Sequence, residues 1–569
     1  MSLKVACAQL NQQLGDMAGN VRRILDAAGQ AVAQGAQVLL TPELSVCGYL
    51  PGDNLFRASF QQQVDEAVGQ IRLASESLGE LHLVVGYPAI RDGRRFNAAG
   101  VFHRGRQLAE YLKAELPNKA VFDEKRYFEA AADAVVFEVG GVRCGLQICE
   151  DVWQQASAAR ARAAGAELLL VLNASPYEFG ADADVAQAFG GGAGKTADAP
   201  RAGAAGGGKF QRRIDTLRRN VCAGGMAAVF CNMVGGQDEL VFDGQSLALA
   251  ADGLLAARAN AFVEDLLVVD VSRREDGSLS LAGRQAEALA PLAELYQALV
   301  LSIRDYIGKN GFKGTVLGLS GGIDSALVLA LAVDALGPER VRTVMMPSPY
   351  TADISLADAE DMAKRLGVKH EVWPIQPCFD AFRATLRDSF AGLPEDTTEE
   401  NIQARIRGTL LMALSNKTGW MVLTTSNKSE AAVGYSTLYG DMVGGFAPIK
   451  DVLKTLVYQL SRYRNTLSEV IPERIITRAP SAELRPDQKD QDSLPPYDVL
   501  DRIIEGYMEQ DRPAAELVAS GLPADAVAQV VRLLRISEYK RQQGPLGPKV
   551  SARAFGKDWR YPITSGFRE

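Results

Sequence analysis

Apolar positions in the first half of the chain fall into short runs, set between stretches with helical spacing. "KVACAQL", "QVLLTPE", "LHLVVGYP", "GVRCGLQIC", "ELLLVLNAS", "MAAVFCNMV" and "DLLVVDV" predict buried, β-branched strands. "NVRRILDAAGQAVAQGA" and "QRRIDTLRRNVCAGG" repeat apolar residues every three or four positions and predict helices. Strands alternating with helices in this way make a layered α/β domain.

After "EDLLVVDVSRREDGS" the pattern breaks into a polar stretch. A helix, "AELYQALVLSIRDYIGKNGF", then opens a second α/β half. The expected layout is a first domain over 1–275, a linker over 276–288 and a second domain over 289–569. The second half restarts with a strand, "GTVLGLS", a glycine turn and an apolar helix, "GGIDSALVLALAVDALG"; further strands are expected in "RVRTVMMPS" and "GWMVLTTSN". The Gly- and Pro-bearing basic tail, "YKRQQGPLGPKVSARAFGKDWRYPIT", predicts an extended strap.

Residues 181–208 stand apart, with ten Ala and eight Gly among twenty-eight positions. Such a stretch buries too little apolar surface to offset its ordering entropy, so a flexible insertion is expected. Its "GGGAGKT" is not a Walker loop, because Phe189 stands where the first glycine is required and no strand leads in.

Composition narrows the partners. The chain of 569 residues is 47% hydrophobic and 23% charged, with a net charge of −8. That balance argues against a nucleic-acid groove or binding to anionic membranes, and leaves small-molecule substrates. No apolar run reaches the ~18 residues that span a bilayer. Seven cysteines (7, 47, 144, 149, 222, 231 and 378) are scattered without a CxxC pair, which predicts a reducing, cytoplasmic setting with no disulfide framework or zinc site. "MSLKVACAQL" lacks the layout of a secretory leader.

"GLQICEDVW" places Cys149 at a strand end, in a chain with only three histidines, none near it in sequence. An isolated cysteine there is more often inert core than nucleophile. Activation without imidazole needs a carboxylate base and a cation. Glu43, ending a strand in "LLTPELSVCGYLPGD", and Lys113, in "YLKAELPNKAVFDEKRYF", supply both at strand ends that gather on one sheet edge. In this order and context, with "NASPYEFG" and "GGQDELVFDG", the three residues resemble the Glu–Lys–Cys triad of the nitrilase (carbon–nitrogen hydrolase) superfamily over residues 3–271. The resemblance implies an α-β-β-α sandwich and amide hydrolysis through a thioester.

"LGLSGGIDSA" puts two glycines, two serines and an acid between a strand and a helix, where free N–H groups and hydroxyls can cradle a phosphate and Asp324 can hold Mg²⁺. The loop is similar to the PP-loop of ATP pyrophosphatases. With "ENIQARIRG", "LTTSNKSEAAVGYSTLYGD", "PSAELRPDQKDQDSLPPYDVLD" and "YKRQQGPLGPKVS", the chain closely resembles the glutamine-dependent NAD⁺ synthetase family over nearly its whole length. The resemblance implies a C-terminal Rossmann-like (adenine nucleotide alpha hydrolase-like) doubly wound parallel sheet. It also implies amidation of deamido-NAD⁺ through an adenylated nicotinate, with ammonia from L-glutamine, ATP as co-substrate and Mg²⁺ as cofactor, in a homo-oligomer.

Carried over by motif, the ATP contacts would be Gly318, Leu319, Ser320, Gly321, Gly322, Ile323, Asp324, Ser325 and Thr425. Deamido-NAD⁺ contacts would be Asn401, Glu430 and Lys540, and the metal ligands Asp324 and Glu430. Arg407, Lys450, Lys454 and Lys489 could balance phosphate charge. Ser175 would bind glutamine. Lys119 stands where the family often has Tyr in that pocket, and Lys209 takes the place of the basic residue that normally follows "SPxxxG" directly. Three rivals stay open: a different PP-loop ligase, a nitrilase-type amidase with a nucleotide-sensing C-terminal half, and a non-catalytic nucleotide-binding scaffold.

Overall fold

The structure, a computed structural model, describes residues 2–180, 208–481, 483–485, 488 and 490–567. The chain divides into two compact units, Met1–Glu294 and Leu295–Glu569. The segment 181–207, and with it the "GGGAGKT" run, lies outside the described residues, as does Lys489.

In the first unit, β1 (Ser2–Gln9), β2 (Val38–Leu40), β3 (His82–Arg91), β4 (Arg94–His103) and β5 (Arg106–Leu112) belong to one sheet. A second sheet holds β6 (Val136–Val139), β7 (Val142–Ile148), β8 (Leu168–Asn173) and β9 (Ala227–Asn232). A hairpin follows, β10 (Val234–Gln237) and β11 (Leu240–Asp243). Then β12 (Leu247–Leu249) and β13 (Leu255–Arg258) complete the second sheet, while β14 (Asp265–Arg273) and β15 (Leu279–Gly283) return to the first. The strand orders are β15-β14-β1-β2-β3-β4-β5 and β13-β12-β9-β8-β7-β6. At the heart of each sheet three strands run parallel, β1-β2-β3 and β7-β8-β9, so the loops leaving their C-terminal ends share an edge.

Inner faces of the two sheets pack on each other through Val5, Cys7, Val38, Leu40, Leu146, Ile148, Leu170, Leu172 and Val229. Helices α1 (Met17–Ala33) and α2 (Ala58–Ala74) cover the outer face of the first sheet with Val21, Ile24, Val64 and Ile71. The second sheet is covered by α3 (Gln155–Ala163) and α4 (Lys209–Asn220), with Ala158, Ala161, Ile214 and Leu217. The result is the expected α-β-β-α sandwich.

The expected linker is corrected. Within 276–288 lies β15, paired antiparallel with β14. Leu279 and Leu281 point inward into the inter-sheet core, and that period-two alternation makes the segment an edge strand.

In the second unit, β16 (Thr315–Gly318), β17 (Val341–Met345), β18 (Lys369–Val372) and β19 (Met421–Val422) form a parallel sheet in the order β18-β17-β16-β19. The order reverses direction at β16, which is the switch point where open α/β sheets bind ligands. Helix Ile323–Leu336 leaves that point nearly wholly buried, with Ala326–Ala332 inaccessible along its length. The helical end of the chain, with Leu500, Ile503, Val530 and Leu534, forms a separate core with Trp559 of the strap. No helix among the described residues is long and apolar enough to cross a membrane.

Candidate active sites

The first site sits where β2, β5, β7 and β8 end. Glu43, three residues past β2, is held by its own backbone N–H on Asn173 O (3.3 Å). Its Oε1 accepts from Asn97 Nδ2 and Lys113 Nζ, each at 2.7 Å, and its Oε2 from the Ala174 amide at 3.2 Å. Lys113, one residue past β5, donates also to both oxygens of Glu124, at 2.9 and 2.8 Å. None of the three side chains is exposed. Burial alone would depress the Lys113 ammonium, but the Glu124 and Glu43 carboxylates outweigh it and hold the pKa well above the ordinary lysine value. Burial pushes Glu124 the other way, up to about 7, against the pull of Lys113.

Cys149 directly follows β7 and opens the turn Cys149–Trp153 with φ +45°, a left-handed conformation costly for a residue with a Cβ. Its thiol is buried, and burial followed by the Glu43 charge raises its pKa, while Lys113 works in the opposite direction. Asp151, two residues on, fixes the turn. It accepts from the Ile148 and Glu115 amides at 2.9 and 2.8 Å and from the Tyr111 hydroxyl at 2.7 Å. The thiol thus lies within electrostatic reach of the Glu43 carboxylate and the Lys113 ammonium, all three buried, where such interactions are strongest.

Ser175 lies buried just beyond β8. Lys209 opens α4 with its ammonium 5.3 Å from the centre of the Trp153 ring. Burial lowers its pKa to about 8, and it senses the charges of Glu178 and Cys149. Lys119 is placed differently from the other two: its side chain is 68% exposed and pairs with Glu150 at 2.9 Å. It reaches the site through the neighbour of Cys149, not as a buried pocket wall.

The second site lies at the sheet switch point. Gly321 has φ +77°, and a Cβ there would meet the Ser355 carbonyl at 2.5 Å, so this position admits only glycine. The loop closes on itself through Ser320 Oγ, which accepts from the Gly322 amide at 3.2 Å and lies 3.1 Å from Ser325 Oγ. A cleft beside it is lined by Gly318, Leu319, Ser320, Arg407 and Thr425. Arg407 donates to Met346 O at 2.9 Å, and burial lowers its pKa to about 10.

"SNKSE" folds as a capping box. Asn427 Oδ1 accepts from the Glu430 amide at 2.9 Å at the start of helix Lys428–Val433, which fixes Asn427 and Glu430 on one side of the turn. Asn427 Nδ2 then donates to Asp324 Oδ1 at 2.8 Å. Lys454 bridges Asp324 and Glu430, at 2.5 and 3.3 Å. Lys454, expected to balance phosphate charge, has its side chain buried between these two acids. Burial raises Glu430 to about 8, with Lys454 opposing.

The remaining sequence candidates lie around this cluster. Asn401 accepts from the Thr437 hydroxyl at 2.7 Å, and Lys540 donates to the Gly434 and Ser436 carbonyls at 2.8 and 2.7 Å, so both flank the loop 434–437 that follows the Glu430 helix. Lys450 donates to Pro545 O in the strap at 2.8 Å. Sequence reasoning missed Glu124, Asn427, and the Arg213–Asp243 pair beside Ser175. Asn427 was signalled by its capping-box spacing to Glu430, whereas Glu124 opens a single 3₁₀ turn, Glu124–Arg126, between β5 and β6 and has no local signal.

Matches to known proteins follow this division. The carbon-nitrogen hydrolase model matches residues 4–278 and the NAD synthase model residues 295–544. The glutamine-dependent NAD(+) synthetase of Acinetobacter baylyi is 45% identical over all of this chain and 99% of its own length. That of Thermotoga maritima is 41% identical, with 100% and 99% covered. The solved structure of the enzyme from Acinetobacter baumannii, in complex with ADP, is 43% identical and covers 100% of this chain and 99% of its own, with a TM-score of 0.76. A Cytophaga hutchinsonii structure shares the fold at 22% identity, with a TM-score of 0.80 over 100% of this chain and 98% of its own. With carbon-nitrogen hydrolase and NAD synthase units in succession and full-length relatives above 40% identity, this chain belongs to the glutamine-dependent NAD(+) synthetase family.

Proposed function

We propose that the protein converts deamido-NAD⁺ to NAD⁺, using ATP and ammonia released from L-glutamine and producing AMP, diphosphate and glutamate. The observation that carries this reading is the coexistence, on one chain, of the water-shielded Glu43–Lys113–Cys149 group and a glycine loop flanked by Asp324 and Glu430. An amidase alone has no use for the second.

In the first unit, Cys149 Sγ attacks the side-chain amide carbon of glutamine while Glu43 takes the thiol proton. The raised thiol pKa means that this proton must leave during attack. Lys113 stabilises the tetrahedral oxyanion. Glu43 returns the proton to the departing ammonia, and water then hydrolyses the thioester. Ser175 and Lys209 contact the glutamine, with Lys119 at the rim.

In the second unit, residues 318–325 and Thr425 hold ATP, while Asn401, Glu430 and Lys540 hold deamido-NAD⁺. The nicotinate carboxylate attacks the α-phosphorus and expels diphosphate; ammonia then displaces AMP from the acyl adenylate. Asp324 and Glu430 converge on the point Lys454 Nζ now bridges, and two carboxylates completed by substrate phosphates suit Mg²⁺. No cluster of three His, Cys, Asp or Glu exists among the described residues, which fits a metal that arrives with the nucleotide. Bound there, Mg²⁺ would neutralise phosphate charge. We further propose a cytoplasmic setting, in keeping with seven free cysteines, and, from the family resemblance alone, a homo-oligomer.

Steady-state release of AMP and diphosphate tests this reading. It is expected only when deamido-NAD⁺, ATP and glutamine or ammonium are all present; AMP release that ignores deamido-NAD⁺ would defeat it.

A further inference from the structure

Ser175 is pinned from every side. Its amide donates to Asn232 Oδ1 at 2.9 Å, and its carbonyl accepts from Asn232 Nδ2 at 3.2 Å and from Arg213 Nη2 at 2.8 Å. Its hydroxyl accepts from Arg213 Nε at 3.2 Å. The Arg213 guanidinium, wholly buried, is itself gripped by Asp243, with Nη1 and Nη2 on the two carboxylate oxygens at 2.8 and 2.7 Å. Asp243 ends β11 and also accepts from Gln245 at 2.9 Å, so the fork rests on the sheet and not on a loop.

A second feature makes this more than core packing. Arg213 lies four residues after Lys209 on α4, one turn along the same face. The group that fixes the hydroxyl of Ser175 thus also anchors the helix that presents the Lys209 ammonium over Trp153. A guanidinium serves here because it donates in a rigid plane to four acceptor atoms at once, which an ammonium on a flexible stem cannot reproduce.

We infer that Arg213, oriented by Asp243, is a positioning residue for glutamine: it sets the hydroxyl of Ser175 and the start of α4 so that both sides of the amide-substrate pocket keep one geometry. With its Oγ lone pair committed to Arg213, the Ser175 hydroxyl is directed as a donor, suited to a substrate oxygen such as that of an α-carboxylate. This inference rests on the reading of Ser175 and Lys209 as glutamine contacts.

The test is a double-mutant cycle on the full chain, read as KM for glutamine and as kcat, with ammonium-dependent synthesis as the fold control. Arg213→Lys is expected to raise KM roughly 10-fold, the worth of one hydrogen bond to a charged group, with kcat moved far less. Because Arg213 acts on the hydroxyl of Ser175 as well as on the start of α4, the increment should shrink in a Ser175→Ala background without vanishing. Asp243→Asn, which keeps Arg213 in place with a neutral partner, is the second variant should Arg213→Lys fail to fold; it should raise KM in the same direction and lose most of that rise in the Ser175→Ala background. Increments that add fully to Ser175→Ala, or an equal fall in both nitrogen-dependent rates, would overturn the inference. A Ser175→Ala enzyme with unchanged KM would overturn it together with the pocket reading, whereas a raised KM in Ser175→Ala and none in the other variants would overturn this inference alone.

Discussion

Replacing Glu124 by glutamine probes the part of the first site that the triad motif does not contain. Glu124 accepts two bonds from Lys113, at 2.9 and 2.8 Å, and one from the Tyr49 hydroxyl at 3.1 Å, all inaccessible to water. Glutamine keeps one acceptor oxygen and turns an NH₂ group toward an ammonium or a hydroxyl, so one charge-assisted bond to Lys113 is lost. Such a bond is worth about 1.5–3 kcal/mol. At ~1.4 kcal/mol per decade, the glutamine-dependent rate should fall roughly 10- to 100-fold if Lys113 stabilises the oxyanion only when so held. The fold should survive, because Lys113 retains Glu43 at 2.7 Å and no buried charge is left alone. A second readout separates position from charge. The Glu124 carboxylate raises the Cys149 pKa, so its removal should move thiol alkylation by iodoacetamide to lower pH even as turnover drops. NAD⁺ formation from glutamine, measured beside formation from ammonium, is the assay. An unchanged glutamine-dependent rate, or equal loss with both nitrogen sources, would refute the reasoning.

Three further outcomes follow from the geometry. Glu294, packed near Asp243 and Arg258, has its pKa raised by burial to about 7 from 4.5, so the folded protein binds the extra proton and the native state weakens as pH rises through that window. Glu294→Gln should therefore match the parent near pH 4 and exceed it by about 2–3 kcal/mol above pH 8, read from urea midpoints; an unchanged pH profile would contradict this. Gly321→Ala must displace the loop or the Ser355 carbonyl 2.5 Å away, and should raise KM for ATP by about tenfold or more without slowing glutamine hydrolysis. Asp324→Asn weakens the pair with Lys454 and removes a carboxylate from the nucleotide site. It should block synthesis from either nitrogen source while glutaminase turnover persists, as followed by glutamate release.

The fold was legible wherever a strand is buried on both faces, as in "ELLLVLNAS", because burial forces a continuous apolar run. It was not legible in β4 and β5, whose "RRFNAAGVFH" and "RQLAEYL" mix charges and small residues toward the sheet edge. The Asp92–Gly93 pair between β3 and β4 is a hairpin signal that could have exposed β4. The alternation in "SLSLAG" would likewise have turned the supposed linker into β15. Glu43, Lys113 and Cys149 could be placed at strand C-termini because each lies within three residues of a strand's end, but the expected single sheet edge is corrected: Glu43 and Lys113 leave the first sheet and Cys149 the second. Glu124 reaches them from the 3₁₀ turn Glu124–Arg126 by tertiary folding alone. The burial of Lys454 was equally unreadable, since no sequence pattern distinguishes a lysine held between two acids from an exposed one.

The division of labour between two sites on one chain is tested most directly by Cys149→Ala. Without the thiol no thioester can form, while every group around Asp324, Lys454 and Glu430 is untouched. NAD⁺ formation from glutamine should vanish, and formation from ammonium should continue at close to the parent rate. Equal loss with both nitrogen sources, or continued synthesis from glutamine, would contradict the account.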